Sequence, residues 1–388
     1  MKKNISILGS TGSVGLSTLK IIERKKEYFR IILLAANNNY KLICKQIKKY
    51  GPKYFIINNL RVYEKVKKKF ENKKIKILHD FKQLNLRKLD ISVAAIPGIA
   101  GLEPTLMFIK YSKKILIANK ESVICGWHLM KKIATKNKTT IIPVDSEHYS
   151  IFKLIKHLQQ KEIEKIYITA SGGPFLNYKK QQMQKITPQE ALKHPKWKMG
   201  KKITIDSSTL MNKILELIEA QKLFDLPNNK LDIVIHPNSL VHAIIKKRNG
   251  LTTFIYHDTS MIIPLANAIF DGKLNIKEFY KTEKKKNKLE NLVFDKVDKR
   301  IFPVINLKNR ANEYPSTSII INAANEILVE LFLDKKIPFL SISKTILKIL
   351  NDRNYKKYAI RKPKNIHEIT KIDKWTRENI KKKLKIDD

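Results

Sequence analysis

Cysteine is nearly missing: Cys44 and Cys125 are the two in 388 residues, too few for a disulfide framework. A reducing, cytoplasmic setting is the expectation. Long apolar runs are missing too, and none reaches the length of a bilayer-spanning helix. The opening MKKNISILGSTGS starts basic, but its apolar stretch is too short for a secretory signal. Acid is the scarce charge, with 35 Asp and Glu against 78 Lys and Arg, a net +43 and a pI of about 10.0. A positive field attracts nucleic acid, membranes and phosphorylated metabolites. Yet the lysines are scattered along the whole chain among many Ile and Asn, as at 67–69, 284–286 and 381–383. The charge is either a binding patch or spread over a tolerant surface, and the scatter reads as the second, in the manner of an AT-rich genome's Lys, Ile and Asn usage. No nucleic-acid-binding motif accompanies it, so neither a specific nucleic acid nor a membrane is expected as partner.

What is present is a hydrophobic fraction of 43%, ordinary for a globular protein, in a chain long enough for two or three domains. NISIL, RIILLAA, KYFIIN, DISVAAI, KKILIA and TTIIPV read as strands, and stretches such as GLSTLKIIERKKEYF between them have helical spacing. The alternation predicts an α/β fold, with an N-terminal Rossmann-like, doubly wound parallel sheet over residues 1–145. Residues 146–275 read as a central α+β catalytic domain. EKIYITAS and KLDIVIHP are strands there, and SLVHAIIKKRNGLTTFIYHD is a hairpin turning at Asn249-Gly250. DSSTLMNKILELIEAQKLF reads as one helix capped at Ser207 or Ser208. Residues 276–303 include FYKTEKKKNKLENLVFD, charged and without a clear period, and read as a linker. SIIINAANEILVELFLDK and FLSISKTILKIL predict a C-terminal helical domain over 304–388.

NISILGSTGSVGLSTLKII is strand, glycine loop and helix, with Gly9, Gly12 and Gly15 spaced as a variant of the dinucleotide fingerprint. Glycines let the backbone turn tightly and approach a pyrophosphate at the helix N-terminus. Ser10, Thr11 and Ser13 add hydroxyls. An NAD enzyme carries an acid at the end of the second strand, to bond the ribose 2′-OH. LLAANNNYK has none there, so NADP is expected, with Asn37 and Asn38 as donors and Lys41 nearby.

PVDSEHYS places Asp145 and Glu147 on either side of Ser146, just after an apolar run. On an extended segment both carboxylates point to one side, where they repel unless one is protonated or both hold a divalent cation. The plain alternative is a pair of exposed loop acids. Asn212 and Glu216 stand four apart on one helix face, with Lys213 beside them. Ser207 and Ser208, at the expected helix start, are placed to favour an anion. SGGPF, from Ser171, is a second donor-rich loop, and HPKWKMG, from His194, carries Trp197 and Met199 in a polar loop that is either a packed anchor or a lid. ANKES follows a strand and lands at the sheet's carboxyl edge, where such folds bind ligands.

Taken in order, GSTGSVG, ANKES, PVDSEH, SGGPF, HPKWKMG, DSSTLMNK..E and NAANE resemble the 1-deoxy-D-xylulose 5-phosphate reductoisomerase family, from Gly9 to Glu326. The resemblance implies NADPH-dependent rearrangement and reduction of 1-deoxy-D-xylulose 5-phosphate to 2-C-methyl-D-erythritol 4-phosphate, in non-mevalonate isoprenoid synthesis. It also implies a Mg²⁺, Mn²⁺ or Co²⁺ ion and a homodimer. Carried over motif by motif, Asp145, Glu147 and Glu216 are metal ligands and, with Lys120, the catalytic set. Ser171, Ser207, Asn212 and Lys213 hold the substrate phosphate. Ser146 and Lys120 meet its hydroxyls, and His194 anchors it from the lid under Trp197 and Met199. Cofactor contacts fall to Thr11, Gly12, Ser13, Val14, Ala36, Asn37, Asn38, Asn119, Glu121 and Gly200.

The chain departs from the family pattern at three places. Ala36-Asn37 stand where Gly and a basic residue are common. Ile214 replaces a usual Gly after Lys213. Thr259, Ser260, Met261 and Ile262 replace Pro-Asp-Met-Arg in a structural and subunit-interface stretch. Two rival readings remain. Semialdehyde dehydrogenases share a similar glycine loop but need a nucleophilic cysteine, and neither Cys44 nor Cys125 sits in a partner pattern. A basic nucleic-acid-binding protein would not be expected to gather three acids at its groove.

Overall fold

The computed structural model describes residues 2–197, 199–280 and 291–386. So far as these are described, the chain divides into two compact units. The first comprises Met1–Ser122, His128–Asp145 and Ser260–Lys286, and the second Val123–Trp127, Ser146–Thr259 and Asn287–Asp388.

The first unit is built on a sheet of β1 (Lys3–Leu8), β2 (Phe29–Ala36), β3 (Tyr54–Ile57), β4 (Lys76–Leu78), β5 (Leu89–Ala94), β6 (Ser112–Ile117) and β7 (Thr140–Pro143). The order is β4-β3-β2-β1-β5-β6-β7, and every pairing is parallel. Ile5, Ile7, Leu33, Leu34, Val93 and Leu116 are wholly buried in it, as β-branched and aliphatic runs covered on both faces should be. β4 escapes the sequence reading because it is three residues long and buries only Ile77, between the exposed Lys76 and the half-buried Leu78. The strand order reverses between β1 and β5. Connections leave these two strands in opposite directions and open a crevice at their carboxyl ends.

The second unit holds β8 (Ile163–Ala170), β9 (Leu231–Ile235), β10 (Val241–Lys247), β11 (Thr252–Tyr256) and β12 (Asp295–Lys296), in the order β11-β10-β8-β9-β12. β8 and β9 are parallel and the remaining pairs antiparallel. The β10–β11 hairpin turns at Asn249-Gly250 as expected. Gly250 takes φ +85°, and the Asn249 side chain accepts the Leu251 N–H at 3.1 Å. The helices Met211–Phe224 and Thr317–Leu333 are buried along nearly their whole length, and the first carries Asn212, Lys213, Glu216 and Glu219 into the interior, where they are bonded or paired. Of the stretch 276–303, residues 281–290 lie outside the described residues. Before them Ile276–Glu278 make one 3-10 turn, and after them β12 pairs with β9.

The single helix expected from Ser207 or Ser208 is instead two, Lys201–Ser208 and Met211–Phe224, broken at Thr209-Leu210. Leu210 adopts φ +65°, a left-handed conformation that costs roughly 1–2 kcal/mol for a residue with a side chain. Leu210 is 1% exposed, and burying a leucine recovers about that much or more. The Thr209 hydroxyl accepts the Met211 N–H at 3.3 Å and starts the second helix. Ser207 and Ser208 therefore close a helix rather than open one.

Candidate active site

In the first unit the glycine loop joins β1 to the helix Ser13–Arg24. Gly9 has φ +87°, and a Cβ there would collide with the Ala95 carbonyl. A Cβ on Gly15 would collide with the Gly9 carbonyl and the Ser10 backbone. The two glycines thus let loop, helix and β5 approach closely. Ser10 does not supply the expected donor. It is wholly buried, gives its hydroxyl to Gln46 Oε1 at 2.7 Å, and accepts Gln46 Nε2 on its carbonyl at 2.9 Å.

Beside the loop lies a cavity of about 580 Å³, lined by Thr11, Gly12 and the Ala36, Asn37 and Asn38 turn after β2. Ser13 and Val14 open the helix Ser13–Arg24 that follows and do not line the cavity. Asn58, Asp80 and Lys82 also line it, from the ends of β3 and β4. Asp80 and Lys82 escape the sequence because β4 is not legible in it, whereas Asn58 ends a strand that is legible but carries no motif. Asn119 caps the helix Lys120–Asn137 by accepting the Ser122 N–H at 2.5 Å, and its amide binds the Ile96 and Gly98 carbonyls. Ile96 is a cavity wall. Lys120 and Glu121 follow in the first turn and are buried, and Lys120 pairs with Asp145 at 2.8 Å. Gly200 lies in the second unit, at the start of Lys201–Ser208.

From Asp145 the chain does not stay extended, as the sequence reading had it. A helix, Ser146–Leu154, begins at once. Glu147 thus sits in a first turn, where the helix dipole favours an acid, and the Ser146 hydroxyl donates to its carboxylate at 2.5 Å. Glu147 and Glu216 are buried, and their carboxylate oxygens come within 4.8 Å of one another. Lys213 Nζ donates to both, at 2.7 Å to Glu216 and in a shorter bond to Glu147. The Asn212 amide donates to the other oxygen of Glu216. Asn212, Lys213 and Glu216 share a face because they stand four and three residues apart on one helix.

The buried His148 gives Nε2–H to the Glu216 backbone carbonyl at 2.9 Å and places Nδ1 3.3 Å from Glu219. His148 stands within PVDSEHYS, and its partners, far away in the chain, leave no signal in the sequence. Lys213 supplies the positive charge that two buried carboxylates so close call for. Hard oxygen donors suit Mg²⁺ or Mn²⁺, so the donor set fits a divalent ion.

A third cluster joins two loops and a helix end. His194 Nε2 lies 3.2 Å from the Ser171 hydroxyl and 3.1 Å from that of Ser207. Its Nδ1 accepts the Lys196 and Trp197 N–H groups at 3.2 and 2.9 Å, so the neutral ring carries its proton on Nε2. Burial, then the charge of Lys213, lowers the His194 pKa from 6.5 to about 4. Gly173, at φ +66°, brings the SGGPF loop against the Ser207 carbonyl, which a Cβ would crowd at 2.9 Å. Ser207 thus meets His194 by its hydroxyl and owes nothing to a helix N-terminus. Trp197 and Met199 are half-buried. Trp197 rests edge-on against His242 at 6.2 Å, and His242 stacks on His257 at 3.8 Å.

Three family models match along the chain. The model of 1-deoxy-D-xylulose 5-phosphate reductoisomerase covers residues 5–126, that of its C-terminal domain 141–224, and that of the DXP reductoisomerase C-terminal domain 258–379. A 1-deoxy-D-xylulose 5-phosphate reductoisomerase of Pelagibacter ubique is 47% identical over 383 residues, 96% of this chain and 97% of that one. The chain belongs to the 1-deoxy-D-xylulose 5-phosphate reductoisomerase family. A DOX-P reductoisomerase crystallised with NADPH, fosmidomycin and magnesium superposes at a TM-score of 0.90, with 32% identity over 99% of this chain and 98% of that one. The Zymomonas mobilis reductoisomerase in complex with NADPH superposes at 0.86, with 32% identity over 99% of each chain.

Two departures from the reductoisomerase pattern have a local account. Ile214 is wholly buried, so the β-branched side chain fills core on the side of the helix away from solvent. In the Thr259–Ile262 stretch, the Ser260 hydroxyl accepts the Ile262 N–H at 3.3 Å, and the helix Ile262–Ile269 follows.

Proposed function

We propose that this chain catalyses the reductoisomerase reaction, converting 1-deoxy-D-xylulose 5-phosphate to 2-C-methyl-D-erythritol 4-phosphate with NADPH and a divalent cation. Full-length kinship at 47% identity supports it. The observation that carries it is the buried Glu147–Lys213–Glu216 cluster, whose excess of hard oxygen donors suits a cation that binds a sugar carbonyl and hydroxyl.

Asp145, Glu147 and Glu216 hold the divalent ion. When bound, the ion would supply Lewis-acid chemistry to the substrate's oxygens, and NADPH would supply the hydride for the reduction. Lys120 and Ser146 orient the substrate hydroxyls. Ser171, Ser207, Asn212 and Lys213 bind the phosphate. His194 anchors the phosphate by donating from Nε2, because its Nδ1 is held as an acceptor by backbone N–H groups. Trp197 and Met199 cover the site and exclude water. Thr11, Gly12, Ser13 and Val14 meet the pyrophosphate, Ala36, Asn37 and Asn38 the 2′-phosphate ribose, and Asn119, Glu121 and Gly200 the rest of the cofactor. No helix among the described residues is long and apolar enough to cross a membrane. Our reading is a cytoplasmic enzyme that works as a homodimer, which light scattering of the purified protein tests.

The deciding experiment is NADPH oxidation with 1-deoxy-D-xylulose 5-phosphate in Mg²⁺ or Mn²⁺, repeated with chelator. Oxidation should require both sugar phosphate and metal. Turnover that survives chelation would remove the carboxylates from the role of ligands. Folded protein that binds NADPH but does not oxidise it would overturn the activity.

A further inference from the structure

The NAANE motif, Asn322 to Glu326, has no role so far. It lies in the helix Thr317–Leu333, which is buried along almost its whole length. Glu326 is bonded within the helical region, to Arg377 at 2.5 Å and to Asn322 at 3.1 Å. Asn325 points elsewhere. Its amide donates to Asp206 Oδ1 at 2.7 Å, across 119 residues of sequence.

Asp206 is 1% exposed. A carboxylate so deeply buried persists only when its oxygens are bonded and its charge is countered. Lys202, one turn earlier, counters the charge at 2.8 Å. Asn325 supplies the bond that comes from another element. The next residue after Asp206 is Ser207, whose hydroxyl meets His194. Ser208 ties the same turn on its other side, to the Ala191 and Thr204 carbonyls at 2.8 and 2.9 Å. The turn is a helix end beside the left-handed Leu210, closed locally by the Thr209 and Leu210 N–H groups on the Ile205 and Ser207 carbonyls at 3.0 and 3.1 Å, while the Asn325 amide ties it to a distant helix.

We propose that Asn325 is a positioning residue for the phosphate pocket: through Asp206 it fixes the last turn of Lys201–Ser208, and so the place of the Ser207 hydroxyl. This rests on the reading that Ser207 binds the substrate phosphate. Without the amide, the Asp206 carboxylate turns toward another donor and carries the Ser207 turn with it. The loss falls on phosphate recognition and not on the dinucleotide cavity, whose lining residues belong to the first unit.

The test compares Asn325→Ala, Asp206→Asn, their double variant and Ser207→Ala with the parent enzyme. In Asn325→Ala the KM for the sugar phosphate should rise roughly tenfold, the size of a lost hydrogen bond to a charged group, with kcat within about twofold. Competitive inhibition by inorganic phosphate should weaken in parallel, and NADPH affinity, read by fluorescence, should not change. The double variant should be no worse than the worse single one, because both remove the same contact. Asp206→Asn keeps the shape of the turn and provides the readout should Asn325→Ala fail to fold. A folded Asn325→Ala or Asp206→Asn with unchanged KM, alongside a Ser207→Ala with raised KM, would overturn the proposal and leave the phosphate reading intact. An unchanged KM in Ser207→Ala would overturn both. Equal losses in KM, kcat and NADPH affinity would mark a general packing role and also overturn it.

Discussion

Lys213→Met removes the ammonium that lies between Glu147 and Glu216 and keeps a similar apolar stem. The two carboxylates are buried, Glu216 to 1% exposure, with oxygens within 4.8 Å of one another. At an effective dielectric of about 20, two unit charges at that spacing repel by about 3.5 kcal/mol. Breaking a buried ion pair on one side costs about 3–5 kcal/mol in measured cases, the same range. For a chain of 388 residues, that loss lowers the melting midpoint by roughly 4–6 °C. A divalent cation should restore the variant more than it stabilises the parent. In the parent the cation must displace an ammonium already bonded to both carboxylates, and in the variant it meets two uncompensated charges. At a hundred times its dissociation constant a ligand adds about 2.7 kcal/mol. The assay is thermal unfolding of both proteins, with chelator and with saturating Mn²⁺. Equal midpoints in chelator, or equal Mn²⁺ shifts, would refute the argument that Lys213 is the counter-ion of a cation site.

Three further outcomes follow from the same geometry. In the ligand-free protein the His194 ring should titrate at about 4 by NMR. Its folded pKa lies below the ordinary 6.5, so the contribution of the neutral ring is intact above that value and is lost as pH falls from 6.5 toward 4; a midpoint near 6 would contradict the Nδ1 acceptor assignment. Gly15→Ala forces a Cβ into the Gly9 carbonyl, and overpacking of this kind, typically 1–3 kcal/mol, should weaken NADPH binding by roughly tenfold in a fluorescence titration; unchanged affinity would detach the loop from the cofactor. Alkylation of native protein with iodoacetamide should leave activity intact, because Cys44 and Cys125 are 7% and 3% exposed. Loss of turnover on alkylation would revive a thiol mechanism.

The sequence by itself determined whatever depends on near neighbours along the chain. β1, the glycine loop and its helix are read from strand periodicity followed by Gly9, Gly12 and Gly15. The β10–β11 hairpin is read from Asn249-Gly250. Asn212, Lys213 and Glu216 fall on one face because helical spacing puts them there. Motif order carried the family, since seven ordered segments are far more specific than any one of them.

Only the tertiary structure decided the rest. Leu210 turns left-handed and splits a helix that spacing alone would continue, because burial of its side chain outweighs a local backbone penalty. Ser10 faces Gln46 and not the cofactor cavity, a choice made by a residue 36 positions away. Lys213 meets Glu147 across 66 residues, and Asn325 meets Asp206 across 119. Spacing is local, so it reports the periodicity of one element. Which buried charge finds which partner is settled by the packing of elements distant in sequence. An unpaired charge in that interior would cost more than any local preference can supply.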